Sequence, residues 1–254
     1  MEVHHHPDLH HKRKHFKEYF LEFLMIFLAV TMGFFAENIR EYFSDSQKEK
    51  QYIQSLYEDL KADTTRISFL IKYDDEKINV LNNIESCYDT VSKNLKATSC
   101  MGLLIKYSKS NRVFQIADRT LKQLANAGGY RLLEKKDADS IIAYESLFRQ
   151  YSNFESTTFQ QAQDNVRNTL NVLADFKVNV SLQSTSSMNL AIDTSKGILN
   201  GPLLFSDDRA LLNKWFNELA LYRRITNAQQ NILSGLKATA TNLIIYYKDK
   251  HHLD

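Results

Sequence analysis

The stretch KEYFLEFLMIFLAVTMGFFAENIREYF, Lys17 to Phe43, decides how the rest of the chain is read. From Tyr19 to Phe35 it is apolar apart from Glu22 and Thr31, and Phe16, Ile39, Tyr42 and Phe43 carry the apolar character past those limits. A helix of about 17 to 20 residues, rising about 1.5 Å per residue, covers roughly the 25 to 30 Å of a bilayer's hydrocarbon core. A cleavable signal would place small residues at a processing site after the apolar run, whereas Phe34, Phe35 and Ala36 lead straight into Glu37. The segment is apolar nearly all round, unlike the one-sided helix of a soluble core or an interface. The reading is an uncleaved transmembrane helix over residues 18–43.

Its flanks set its orientation. Lys12, Arg13, Lys14 and Lys17 cluster before the span, while Arg40 beyond it is mixed with Glu37, Glu41 and Asp45. Positive charge is retained on the cytoplasmic side, so the N-terminus is expected there and residues 44–254 across the membrane, which in a bacterium is the inner membrane facing the periplasm. At spacings of four and three, Glu22, Ile26, Ala29, Gly33, Ala36 and Arg40 form one stripe, with Ala29 and Gly33 as a small-xxx-small pair. Small residues let helix backbones approach closely in lipid, and a carboxylate is better tolerated in an interface than facing lipid. The stripe is therefore expected to pack against another transmembrane helix, Glu22 reaching towards the headgroups being the alternative.

Six histidines fall in the first fifteen residues, MEVHHHPDLHHKRKH. His11 and His15 could share a helix face and are weak metal candidates, but no carboxylate or cysteine set completes a site and Pro7 interrupts the run. Residues 1–17 read as a His-rich basic cytoplasmic tail beside acidic lipid headgroups, with no metal and no cofactor expected.

Composition points the same way for the remainder. Thirty-two Lys plus Arg against 30 Asp plus Glu give a net charge of +2, far from the one-sided field of a nucleic-acid binder, and 7 Gly with 2 Pro in 254 residues favour long helices over turn-rich sheets. Ser44, Asp45 and Ser46 either cap a new helix or lie inside a continuous one. In QKEKQYIQSLYEDLKADTTRISFLIKYDDEKINVLNNIESCYDTVSKNL, Ile53, Leu56, Leu60, Ile67, Leu70, Ile71, Ile78, Leu81 and Ile84 recur at three, four and seven, with charges assigned to a solvated opposite face. Cys87 sits near the end of that helix and Cys100 after SKNLKATS. In an oxidising compartment the two are expected to close a loop of about 14 residues.

Further along, Leu121 and Leu124 predict a short helix stopped by Gly128 and Gly129, and Asp137 or Asp139 begins another through Tyr151. A further helix is expected from Asn153 to about Leu182. STSSMNLAIDTSKGILNGPLLF is the longest irregular run, making Met188 to Phe205 the candidate contact loop. Ser206, Asp207 and Asp208 introduce a final helix ending in Lys248, Lys250, His251 and His252, the two histidines being expected to fray.

Three elements together, KEYFLEFLMIFLAVTMGFFAENIRE, KEKQYIQSLYEDLKADT and TLKQLANAGGYRLLEKKDADSIIAYE, resemble an uncharacterised family of bacterial single-pass membrane proteins with a helical extracytoplasmic region. The likeness rests on Tyr52, Ile53, Leu56, Asp59 and Leu60 after the anchor and on Leu124, Gly128, Leu132 and Leu133 later, covering about the first 150 residues. It implies topology and no reaction. The expected architecture is all-α, a single N-terminal transmembrane helix leading into a long-helix extracytoplasmic bundle.

Catalytic signatures such as G-x-S-x-G, H-E-x-x-H or a phosphate loop do not occur in the sequence. The functional expectation is a non-enzymatic membrane-anchored scaffold or accessory subunit, embedded in lipid and assembling with itself or with another integral membrane protein. The alternative is a periplasmic sensor whose helical bundle binds a ligand and transmits to a membrane partner.

Overall fold

The first helix is long because little in the sequence stops it: from Phe16 to Leu81 there is one glycine, Gly33, and no proline. In the computed structural model, which describes residues 16–126, 128–177 and 203–253, that stretch is one continuous helix, α1 (Phe16–Leu81). Ser44 to Ser46 lie inside it, Asp45 accepting from Lys48 at 3.0 Å. The structure is all-α, 85% helical. Among the described residues the β-type pairing is limited to an isolated bridge between Ala174 and Leu204.

By its contacts the chain divides into two units, Met1–Gln51 and Tyr52–Asp254. In the first, an eighteen-residue window of α1 has a mean hydropathy of 2.0 and is 0% buried, so this helix is long and apolar enough to cross a membrane. Thr31 satisfies its hydroxyl by donating to the carbonyl of Phe27 at 2.7 Å. Arg40 is tied one turn back to Glu37, with a 3.1 Å bond from its Nε.

In the second unit α1 buries an alternating three-four series, Ile53, Leu56, Leu60, Asp63, Ile67, Leu70, Asp74, Lys77 and Leu81. That is a heptad seam with three charged members. The helix stops at Asn82 and Asn83, where the hydrogen bonds tighten to Asn83 N–H on the carbonyl of Val80 at 3.1 Å. Periodicity alone predicts a continuous helix with Cys87 near its end; two adjacent Asn side chains compete for backbone bonds and favour a turn.

Four more helices follow: α2 (Ile84–Lys93), α3 (Met101–Lys109), α4 (Arg119–Asn126) and α5 (Lys135–Phe154). Past α4, Gly128 takes a left-handed φ of 62° and begins a 3-10 turn, Gly129–Leu132. A Cβ on Gly129 would lie 2.9 Å from Leu124 Cδ2 and 3.1 Å from Leu124 Cα, so the second glycine is needed for close packing. Helix α5 begins at Lys135, ahead of the expected Asp137 or Asp139.

No new helix starts at Asn153. Instead α5 runs into a π-helical turn, Glu155–Phe159, and on into α6 (Gln160–Leu173). That helix ends at Leu173 rather than near Leu182, because Asp175 N–H bonds the Leu203 carbonyl at 2.9 Å and turns the backbone extended. The last helix, α7 (Arg209–His251), starts at Asp208, whose carboxylate accepts from Ala210 N–H at 2.8 Å and Leu211 N–H at 3.2 Å. It packs against α5 and α6 through Leu212, Trp215, Leu219, Tyr222, Thr226, Gln229, Leu233, Leu236, Ala240, Leu243 and Tyr247, again an alternation of three and four.

Candidate functional site

The predicted transmembrane stripe lies on one helix face as its spacing requires. Glu22, Ile26, Ala29, Gly33, Ala36 and Arg40 are all exposed, and a Cβ built on Gly33 would meet nothing within 4 Å. The Phe and Leu residues around the rest of the helix are exposed as well, among them Phe23, Phe27, Phe34 and Phe35. Monomeric soluble proteins rarely expose a large contiguous apolar surface.

In the unit from Tyr52 onwards the apolar core is in two parts. One gathers Leu81, α2, α3, α6 and α7 as far as Tyr222; the other gathers α1 from Ile53 to Leu70, Phe114, α5 to Tyr151 and α7 from Leu233. Most of the buried residues that fall between them on these elements are polar, Asp74 and Lys77 beside Tyr73 on α1, Glu155 at the π turn, Thr226 and Gln229 on α7. Lys77 is 0% exposed. Its ammonium lies 3.5 Å from Asp74, 3.4 Å from the Tyr222 hydroxyl, and 5.1, 5.1 and 5.5 Å from the ring centres of Tyr73, Phe159 and Tyr222. Glu155 accepts from Asn111 at 2.6 Å and from Gln229. The π turn inserts one extra residue per turn and lets both Glu155 and Phe159 face inward.

Burial dominates the electrostatics of this layer. It pushes the Asp74 and Glu155 carboxyls up and the Lys77 ammonium down; the Asp74–Lys77 attraction and the amide donors on Glu155 oppose it. The layer also closes the end of α3, whose last carbonyls have no partner within the helix. Arg167 donates to the Lys109 carbonyl at 2.6 Å, Gln163 to that of Ser108 at 3.5 Å, and Tyr73 and Ser110 share a 2.6 Å hydroxyl contact.

A second buried carboxyl, Asp63, is 1% exposed and sits in the α1 seam. It accepts from Ala117 N–H at 2.9 Å and Tyr144 Oη at 2.9 Å, with Arg66 3.7 Å away; desolvation raises its pKa to about 6 against those contacts. These bonds hold down residues 110–118, the non-helical run between α3 and α4. Between that run and α1 lies an open trough of about 1100 Å³, with Arg66, Phe69, Arg112, Val113, Gln115 and Arg119 in its walls.

The other predicted residues divide as follows. Cys87 and Cys100 are joined by a disulfide with Cα atoms 5.6 Å apart. His11, His15 and most of the Met188 to Phe205 loop lie outside the described residues; of that loop's described end, Leu203 is buried and Phe205 exposed. The C-terminal end is fastened rather than frayed: Lys250 and His251 meet the fully buried Asp137 side chain at 2.9 and 3.2 Å, which places basic groups at the end of α7 and an acid in the first turn of α5. Among the described residues no cluster of His, Cys, Asp and Glu could hold a metal ion.

Sequence periodicity had put the charges of residues 52–81 on a solvated face, and Asp63, Asp74 and Lys77 overturn that. The signal was present, since each takes a seam position in the three-four alternation. Comparison with protein-family models, curated proteins and solved structures gives no match for this chain.

Proposed function

We propose that the protein is a membrane-anchored, non-enzymatic scaffold or accessory subunit, held in the bacterial inner membrane by residues 18–43 with its N-terminus cytoplasmic and its remaining helices periplasmic. The observation that carries this reading is the apolar window of α1, 0% buried among the described residues, with the residues of the Glu22-to-Arg40 stripe exposed on it. Lipid covers the bulky faces; a second transmembrane helix, from another copy or another integral membrane protein, covers the stripe of small residues.

The second unit supports a binding role over catalysis. Its buried charges are answered by fixed neighbours, Lys77 by Asp74 on the same helix and by Tyr222 of α7, Glu155 by Asn111 and by Gln229 of α7, and the contacts between elements favour one helix register. The trough beside Arg112 is open, which suits a macromolecular partner better than the small ligand a sensor would enclose. Purification at native abundance in a mild detergent tests the reading. The expected outcome is a stoichiometric membrane partner or a defined homo-oligomer; a lone monomer under those conditions contradicts it.

A further inference from the structure

The trough between α1 and residues 110–118 has features that no helix packing in the second unit uses. Its outer wall is backbone without a backbone partner: among the described residues, no backbone–backbone hydrogen bond involves residues 111–117. Side chains fix the run at three points, Tyr151 Oη accepting from Phe114 N–H at 3.1 Å, Asp63 from Ala117 N–H at 2.9 Å, and the Gln115 carbonyl accepting from Arg66 at 3.3 Å. At its centre exposure alternates, with Val113 54% and Phe114 2% exposed and Gln115 exposed again, while the residues on either side are half-buried. An anchored run of backbone without backbone partners is a template for a further extended chain.

The walls select the chemistry of that chain. Arg66, Arg112 and Arg119 are set around the trough, whereas its one acidic lining residue, Asp118, is held by Lys122 at 2.6 Å. Arg112 and Arg119 make no ion pair among the described residues. Arg112 is stacked on Phe69 and Tyr73, 4.8 and 5.1 Å from their ring centres, so its guanidinium is positioned in advance above an aromatic side chain that is itself 55% exposed. Cationic walls on an apolar floor complement carboxylates alternating with apolar side chains.

We propose that this trough is a docking site for an extended acidic segment of a partner polypeptide, which adds as a strand beside residues 111–117, sets carboxylates against Arg112 and Arg119, and packs apolar side chains on Phe69 and Val113. The proposal is independent of what the transmembrane stripe contacts.

Fluorescence anisotropy on the full chain in dodecyl maltoside tests it, with pools of labelled ten-residue peptides in which Asp or Glu alternates with Leu, Val or Phe. Controls are the same pools with Lys for the acids, and with backbone N-methylation at alternate residues. The expected result is binding of the acidic pool at least tenfold tighter than either control, weakening with salt, and lost about tenfold in Arg112→Ala and in Arg119→Glu at unchanged helicity and Tm. Equal binding of the Lys or N-methylated pools, no binding of any pool, unchanged affinity in both variants, or displacement by polyphosphate as effective as by acidic peptide would each overturn it.

Discussion

A buried charge in a helix seam is expensive unless neighbours answer it, and Asp63, Asp74 and Lys77 are answered differently. Asp63 keeps hydrogen bonds from Ala117 and Tyr144, yet burial still lifts its pKa to about 6. A carboxyl whose folded pKa lies above its unfolded value stabilises the fold at low pH, and that contribution is lost as pH rises from about 4 to 6. Asp63→Asn removes the titration and keeps the shape. Its Tm relative to the parent is therefore expected to rise between pH 4 and pH 7, by the equivalent of up to about 3 kcal/mol from the shift of roughly two units; a flat or falling difference contradicts the assignment. Lys77 is the converse, a fully buried cation shared by Asp74, Tyr222 and three aromatic rings. Lys77→Ala leaves Asp74 uncompensated and should cost about 3 to 5 kcal/mol in urea unfolding followed by the fluorescence of Trp215, the single tryptophan. Lys77→Met with Asp74→Leu should restore most of it; a Lys77→Ala cost below about 1 kcal/mol would show that Asp74 does not depend on Lys77 for its compensation.

At the scale of elements, what was legible in the sequence is what short-range physics controls. The length of α1 follows from absent breakers, the end of α4 from Gly128 at φ 62°, and the start of α7 from the Asp208 cap. The misplaced boundaries came from competition that periodicity does not weigh. Asn82 and Asn83 break a helix whose apolar repeat continues through them, and a bridge to Leu204 ends α6 at Leu173. The π turn at Glu155–Phe159 was hidden for another reason, since one inserted residue merely shifts the phase of an otherwise helical pattern. The trough was illegible because its two walls come from residues 65–70 and 112–119, which the fold alone brings together. The disulfide is an element-scale device too, joining α2 to the start of α3 across 13 residues. Disulfides form and persist chiefly in oxidising compartments, which fits the proposed periplasmic placement. Alkylation of intact cells before denaturation should therefore leave Cys87 and Cys100 unlabelled until reductant is added; immediate labelling of both would place that region in the cytoplasm.

On the scale of the whole molecule, the two units differ in what their surfaces ask for. The unit from Tyr52 onwards buries its apolar seams within itself and pairs its interior charges, while the apolar window of α1 is 0% buried among the described residues. Lipid can cover Phe and Leu side chains, but lipid alone gives no reason for Glu22, Ala29 and Gly33 to share a face. The proposed assembly therefore depends on that stripe. Its most direct test is the mass of the detergent-extracted assembly, by light scattering on the full chain, for the parent and for Gly33→Leu and Glu22→Gln. A discrete complex larger than one chain that is dissociated by Gly33→Leu and weakened by Glu22→Gln is the predicted result; an assembly, or a monomer, identical in all three would contradict the interface and leave the helix a tether.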